Sequence, residues 1–521
     1  MLLNSWKRYA VFYSVVLALF AFWFYQKNQP VDIVSPQLGD TQKLQCISYA
    51  PYYGKGQSPF VDGMHISPTQ IDSDLKKLSA LTNCVRTYSV GQGLDYVPEA
   101  AAKLGLKVLV GAWIGWTESD NQKEILLATQ KANDYPDTVS AVIIGNEVLL
   151  RGEQTEQKMR AYLQLAKRQT HKPITYADVW EFWLSHHALE QEVDFVTVHI
   201  LPYWENDPVA VEVGVKHTAD IMVRLQKTFH RPILIGETGW PSAGRARNHS
   251  EPSIVNQARY IREFLQKAHE QKWQYNVIEA VDQPWKRQSE GTVGGYWGIL
   301  SADLVPKFSL TGAVSERNDG VLPWMLALLG VIVFSGVGLV KRQRSASEIT
   351  GLSVLGAIFV LSVYLQIEYL VTSCRDMSEW FTLGIVAFFG WLIVLAEPYQ
   401  ITFQQKKWLS ISRLALFGLL LAAIATGWFL LKDGRYRNYP IILFALPMLV
   451  ITMGGPHWIE AKNHLQGFSK WILRILSVIA LILAVLCVRN EPQTETAYLW
   501  LFVVGLATYS VWFAQSRTNQ N

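Results

Sequence analysis

Two glutamates in this chain stand in settings suited to acid and nucleophile chemistry. Glu237 lies in Arg231-Pro-Ile-Leu-Ile-Gly-Glu-Thr-Gly-Trp-Pro-Ser242, at the mouth of a short apolar run and just before a Trp. Glu147 closes Thr138-Val-Ser-Ala-Val-Ile-Ile-Gly-Asn-Glu147, with Asn146 beside it. Breaking a glycosidic bond takes one carboxylic acid to protonate the leaving oxygen. It also takes a carboxylate on the other face of the sugar, to attack carbon or to activate water. A lone strand-end glutamate is more ordinarily a solvated carboxylate or a loop cap, but two in one domain fit the pair of roles. Asn146 offers an amide to a sugar hydroxyl, and Gly236 and Gly239 let the backbone turn tightly beside a ligand.

These residues must be positioned by strands. Short apolar runs occur at 44–50, 84–89, 107–113, 141–145, 174–177, 195–200, 233–236 and 275–280, making eight. Between them the apolar residues take helical spacing, as in Ile71, Leu75 and Leu78 or Ile261, Phe264 and Leu265. Eight strand-helix units predict an α/β fold, a (β/α)8 TIM barrel closed by right-handed crossovers. An open doubly wound sheet is the alternative, but no glycine-rich nucleotide fingerprint follows the first strand.

In a barrel the working residues gather where strands end. Tyr52 and Tyr53 follow strand one, Arg86 and Tyr88 strand two, and Trp113 and Trp116 strand three. Asn146 and Glu147 end strand four, Asp178 and Trp180 strand five, and His199, Tyr203 and Trp204 strand six. Glu237 and Trp240 end strand seven, and Glu279, Asp282 and Trp285 strand eight. Tyr52, His199, Tyr203, Trp204, Trp240 and Asp282 are candidate substrate contacts, the aromatic rings as platforms for pyranose faces. Trp113 and Trp116 stand evenly between platform and core. His199 reads as an orienting hydrogen-bond partner, since no second His or Cys stands at metal spacing from it; neither metal nor cofactor is expected.

The chain of 521 residues is 50% hydrophobic with 20 Trp and a formal charge of +4 that selects no ligand class. Its apolar residues are unevenly spread. After Lys7-Arg8 an uninterrupted run occupies 9–25, and others follow at 321–340, 352–371, 380–396, 414–431, 441–453, 471–488 and 498–513, eight candidate spans in all. The run at 441–453 is short enough to be a buried helix instead. No small-residue cleavage pattern follows the first run, which predicts an uncleaved anchor that starts in the cytoplasm. Alternating sides then places Lys341, Arg342, Arg344, Lys406, Lys407, Arg413, Lys462, Lys470 and Arg474 in the cytoplasm, with Lys432, Arg435 and Arg437 as exceptions. The expected organisation is a signal-anchor helix at 1–26, a linker at 27–43, the barrel at 44–315 and a membrane domain of about seven transmembrane helices at 321–514. This predicts a multi-pass inner-membrane protein whose barrel is periplasmic. Cys46 and Cys84 fall on neighbouring strands, where an oxidising compartment would let them pair, but two buried thiols are the preferred expectation, since a bridge between adjacent central strands is awkward. Cys374 and Cys487 read as structural.

The segment 44–313 resembles glycoside hydrolase family 17, the β-1,3-glucanases. The matching words are Ile47-Ser-Tyr-Ala-Pro-Tyr52, Val85-Arg-Thr-Tyr88, Ile144-Gly-Asn-Glu147, Val198-His-Ile-Leu-Pro-Tyr-Trp204, Ile235-Gly-Glu-Thr-Gly-Trp-Pro-Ser242 and Glu279-Ala-Val-Asp-Gln-Pro-Trp-Lys286. The resemblance implies Glu147 as general acid/base, Glu237 as nucleophile, and retention of configuration with carboxyls about 5 Å apart. It also implies that Asn146, Arg86, Tyr88, Glu279 and Lys286 bind substrate or tune the two acids. The last word is nearer the fungal and bacterial branch, whose bacterial members include membrane proteins named as β-glucan synthases or glucosyltransferases. No cytosolic stretch here is long enough for an added glycosyltransferase domain. The expected function is a membrane-anchored β-1,3-glucan hydrolase or transglycosylase. A glucan-binding receptor, or an export subunit associated with a β-glucan synthase, is the alternative; in the export reading Glu368 would mark a polar path. Expected partners are β-glucan, as polysaccharide or oligosaccharide, membrane lipid and a candidate glucan synthase, with no nucleic acid.

Overall fold

The structure is a computed structural model that describes residues 2–39, 41–339, 345–403, 406–460 and 467–513. Lys341, Arg342, Arg344 and Lys462 lie outside the described residues. The chain divides into two compact units.

The first, Val31–Ala243 with Ser250–Val314, is a closed barrel of parallel strands in chain order. These are β1 (Ile47–Ser48), β2 (Cys84–Arg86), β3 (Lys107–Ala112), β4 (Val139–Asn146), β5 (Ile174–Val179), β6 (Val196–His199), β7 (Ile233–Thr238) and β8 (Gln274–Val277). Alternate residues divide between two cores. Ile47, Val85, Val108, Val110, Val142 and Ile144 join the large cluster formed with the helices. Cys46, Cys84, Leu109, Ala141, Ile143, Ala177 and Leu234 form a small cluster of their own. The helices bury the stripes that their spacing marks. Pro68–Leu78 starts at Ser67, whose side chain accepts from Gln70 N, and buries Ile71, Leu75 and Leu78. Ile254–Gln271 starts at Ser253, buries Ile261, Phe264, Leu265 and Ala268, and stops at Lys272, which takes φ +55°. A capped first turn fixes where each helix begins, and burying residues of this size is worth roughly 1.5–3 kcal/mol each.

Besides a shift between Val108 and Leu109 early in the β3–β4 pairing, strand pairing shifts register at three places toward strand ends, between Ile143 and Asn146, between Val198 and His199, and between Ile235 and Thr238. Such irregularities re-aim side chains at the end of a strand. They fall where Asn146, His199 and Glu237 stand.

Two expectations are corrected here. Cys46 and Cys84 form a disulfide, with Cα atoms 4.3 Å apart. Ile47 pairs with Val85, so the preceding residue of each strand is brought alongside its counterpart, and neighbouring parallel strands accommodate the bridge after all. The bond closes a loop of sequence separation 38, which in the chain-entropy account stabilises by about 3–4 kcal/mol. Reduction, or Cys46→Ser, is therefore expected to lower the melting temperature of the barrel. Identical denaturant melts with and without dithiothreitol would remove the bridge from the stability account. The segment 27–43, expected as a free tether, is laid on the barrel from Val31 onward. Val31 pairs with Val314, Ile33 O accepts from Arg262 Nη1 at 3.3 Å, and Gln37 N donates to Gln266 Oε1 at 3.0 Å.

The second unit comprises Met1–Pro30, Gly244–His249 and Ser315–Asn521. Its helices are Leu2–Asn28, Leu322–Leu339, Ala346–Ser373, Met377–Phe403, Lys406–Asp433, Ile441–Glu460, Gly467–Asn490 and Glu495–Phe513, one for each apolar run. Among the described residues five stretches are long and apolar enough to cross a membrane: Tyr9–Asn28, Ala346–Ser373, Met377–Ala396, Ile411–Tyr436 and Trp471–Asn490. Leu322–Gly336 and Ile441–Met453 are shorter apolar helices. Glu368, the residue expected to mark a polar path, is gripped by Arg317 through Nη2 at 2.7 Å and Nη1 at 2.9 Å. A neutralised acid of this kind is a helix fastening rather than an ion route.

Candidate active site

Arg86, at the end of β2 and 1% exposed, is the hub of the barrel mouth. Its Nη1 donates to Gly236 O at 2.7 Å and Glu237 Oε1 at 3.2 Å, and its Nη2 to Asn146 Oδ1 at 2.5 Å. A planar guanidinium fork suits such divergent bonding, and a lysine would not reproduce it. The Tyr88 hydroxyl donates to Glu237 Oε1 at 2.8 Å and lies 2.9 Å from Ser48 Oγ. Asn276 Nδ2 donates to Ser48 Oγ and to Gly236 O, each at 2.8 Å. Glu237 Oε1 is thus held from two sides, while Oε2 has no hydrogen bond among the described residues. Burial, and then the charge of Glu237, push the Tyr88 hydroxyl well above its ordinary pKa, so it stays a donor.

Glu147 follows β4 with φ +54°, two residues after Gly145 at φ +83°. A left-handed non-glycine residue is uncommon and marks a fixed turn. His199 Nδ1 lies 2.8 Å from Glu147 Oε1, and its Nε2 lies 3.4 Å from Arg86 Nη1. A guanidinium only donates, so Nε2 carries the lone pair and Nδ1–H points at Glu147. Oxygens of Glu147 and Glu237 and a ring nitrogen of His199 all lie within 4.8 Å of one another. That spacing also falls within a metal's reach, but the fixed positive charge of Arg86 beside Glu237 opposes a cation there. Burial works to raise the Glu147 pKa. The hydrogen bond from His199 and the positive charges of Arg151 and Arg86 outweigh it and hold the carboxyl below its ordinary value.

Beside β8, Lys286 Nζ donates to both oxygens of Glu279 at 3.0 Å. Burial pushes Glu279 up to about 7 against the pull of Lys286, and the negative charges of Glu290 and Glu237 add to the rise. Burial works to lower Lys286, but Glu279 and Glu290 carry it up to about 12. Glu290, in the helix Arg287–Gly294, is raised by burial and by the charges of Glu147 and Glu237, with Lys286 opposing.

Several expected substrate contacts are occupied elsewhere. Trp240 is 0% exposed, packed against Tyr203 and Tyr260, and donates its indole N–H to Glu251 O at 3.0 Å. Tyr203 is equally buried and lies parallel to Trp204, with centroids 5.8 Å apart. These two rings are core, with no face free for a sugar, while Trp204 is half-buried. The Tyr52 hydroxyl donates to Gln92 Oε1 at 2.6 Å and is buried. Asp282 accepts from Lys307 Nζ and Gly298 N, each at 2.9 Å, in a buried fastening of its own. Trp113 lies under the Arg151 guanidinium, 4.4 Å from its centroid, whereas Trp116 is 73% exposed. Gly236 and Gly239 are glycines for another reason than ligand approach: a Cβ would sit 2.4 Å from Thr197 Cγ2 and 2.3 Å from Ile278 O, respectively.

Sequence reasoning left out Ser48, Arg151, Asn276 and Glu290. Only Arg151 left a trace, four residues after Glu147, where its guanidinium reaches back to Asn146 O.

The closed parallel barrel brings two carboxylates together at the ends of its strands, the arrangement that glycosidic cleavage calls for. Residues 46–298 match the BtgE/BtgC glycoside hydrolase domain. The chain is 27% identical over 283 residues to the probable beta-glucosidase btgE of Aspergillus flavus, covering 52% of this chain and 43% of that protein. It is 28% identical over 282 residues to a glucan 1,3-beta-glucosidase of Arthroderma benhamiae, covering 50% of this chain and 89% of that protein. Among solved structures it is similar to a family 17 β-1,3-glucanosyltransferase from Rhizomucor miehei, with TM-score 0.46, 23% identity and coverage of 52% of this chain and 99% of that one. The chain therefore spans less than half the length of the Aspergillus relative.

Proposed function

We propose that the chain is a membrane-anchored retaining glycoside hydrolase or transglycosylase acting on β-1,3-glucan outside the cytoplasm. The observation that carries this reading is the approach of the Glu147 and Glu237 carboxylates to within 4.8 Å. That is close to the roughly 5–5.5 Å of retaining pairs, and short of the roughly 6.5–9.5 Å that leaves room for an inverting enzyme's water. Glu237 Oε2 attacks the anomeric carbon while Arg86 and Tyr88 hold Oε1. Glu147 gives its proton to the glycosidic oxygen, the C–O bond breaks, and a glycosyl ester forms on Glu237. Ionised Glu147 then takes a proton from water or from a glucan hydroxyl, whose oxygen displaces Glu237. Water gives hydrolysis and a hydroxyl gives transfer.

The β-1,3-glucan assignment is supported by the name of the Arthroderma relative. The membrane setting is supported by the five apolar helices, and an oxidising location for the barrel by its Cys46–Cys84 bridge. Incubating the full chain in detergent with laminari-oligosaccharides and weighing the products tests the reading. Shorter products alone mean hydrolysis, longer ones mean transfer, and no change on any β-glucan defeats the substrate assignment.

A pH dependence follows from the site. The alkaline limb of kcat/KM reports the free enzyme's essential acid, here protonated Glu147. Its His199 bond and neighbouring positive charges hold its pKa low despite burial, so protonated enzyme is lost as pH rises through a range below that of an ordinary glutamate. The limb is expected on the acid side of that value. A pH profile whose alkaline limb lies near neutrality would transfer the acid role to another group.

A further inference from the structure

We propose that Tyr176 and Asp178, both on β5, are positioning residues that grip the turn behind Glu147 and so hold its carboxyl at the glycosidic oxygen. The inference rests on the acid/base reading of Glu147 given above. The left-handed backbone at Glu147 is strained for a residue with a side chain and persists only where surroundings over-determine it. Strand β5 supplies those surroundings. Glu147 N donates to Ala177 O at 2.8 Å, Leu149 N to the Tyr176 hydroxyl oxygen at 3.0 Å, and Leu150 N to Asp178 Oδ2 at 3.4 Å. The Tyr176 hydroxyl in turn donates to Asp178 Oδ2, and Val179 N donates to Asp178 Oδ1 at 2.7 Å. Three backbone N–H groups at and after Glu147 are thus fastened to one short strand.

Asp178 is 0% exposed, and among the described residues no cation forms an ion pair with it. A buried carboxyl without a cationic partner is expensive, and an apolar side chain would fill the space more cheaply. Its two oxygens give the acid a use as acceptors for Leu150 N and Val179 N. Burial, opposed by the Tyr176 hydrogen bond and helped by the charge of Glu147, brings Asp178 up to about 6. Glu147 is held below its ordinary value, so Asp178 is neutral over the range in which Glu147 titrates and acts there as a fixed acceptor rather than a charge.

The test uses the full chain in detergent with Asp178→Ala, which removes the oxygens that hold Leu150 N and Val179 N, and Tyr176→Phe, which keeps the ring and removes the acceptor of Leu149 N. Asp178→Ala is expected to lower kcat on laminari-oligosaccharides by about 10- to 100-fold, the scale of a small misplacement, with KM little changed, and Tyr176→Phe to lower it less. A second readout separates a displaced acid from a weakened fold: an aryl β-glucoside whose acidic phenol leaves without a proton should form its glycosyl enzyme at close to the wild-type rate in both variants. Wild-type kcat on glucan in both variants, or an equal loss on glucan and on the first step of the aryl glucoside, overturns the grip; if Asp178→Ala does not fold, Tyr176→Phe decides by the same comparison. If wild type turns over no β-glucan yet forms the glycosyl enzyme from the aryl glucoside, the substrate reading falls, and the grip is read on the release step, which needs Glu147 as base and should slow in both variants.

Discussion

Glu237→Ala is expected to lower kcat on laminari-oligosaccharides by about 10⁴-fold or more, the scale on which a lost nucleophile registers. Three features make it the largest single effect. The carboxylate sits 5% exposed beside the Arg86 guanidinium, 3.2 Å from Nη1. Its Oε1 is fixed by Tyr88 and Arg86, which leaves one oxygen aimed by the other. Among the described residues no other carboxylate forms an ion pair with Arg86. Removing the side chain opens a space that a small anion fills, and azide attacking from that side inverts the anomeric centre. Partial return of activity with azide, yielding the α-glycosyl azide, is the expected product signature. A variant that kept more than a few per cent of wild-type turnover, or gave azide product of retained configuration, would move the nucleophile elsewhere.

The fold was legible because barrels write one strand and one helix at a time. Each strand is a short apolar run, each helix a stripe such as Ile261, Phe264 and Leu265, and neither needs a distant partner to be seen. The strand-end position of Glu147, His199 and Glu237 followed from the same count. What the sequence concealed are bonds that join strands far apart in the chain. Arg86 touches Asn146, Gly236 and Glu237, 60, 150 and 151 residues away, and nothing local to Arg86 announces any of them. Trp240 and Tyr203 were misread for a related reason. Loops after strands carry no periodicity, so a ring turned inward against Tyr260 reads the same as one facing a groove. The Cys46–Cys84 bridge turned on the register between β1 and β2, a relation between two strands that neither run shows by itself. Asp178 was visible as a strand-end acid, yet its engagement with Leu150 N belongs to a backbone turn that only coordinates reveal.

Glu147→Ala is the second large effect, and its pattern differs from that of the nucleophile. Loss of general acid/base catalysis typically costs about 10²–10⁴-fold, and the cost falls on whichever step needs a proton moved. Glucan, whose leaving oxygen is a poor leaving group, should lose kcat/KM to that extent. An aryl β-glucoside with an acidic phenol needs little protonation to depart, so its first step should be nearly spared while release of the glycosyl enzyme slows, giving a burst of phenol. Azide needs no base and should accelerate release, now with retained configuration, because Glu237 still forms the ester and azide opens it from the opposite face. The alkaline limb of the wild-type profile should vanish, since the group it reports is gone. His199, which gives Nδ1–H to Glu147 Oε1 in the wild type, loses that partner in the variant. Glucan cleavage at wild-type rate, or inverted azide product from this variant, would exchange the two roles and require Glu237 to be the acid despite its contact with Arg86.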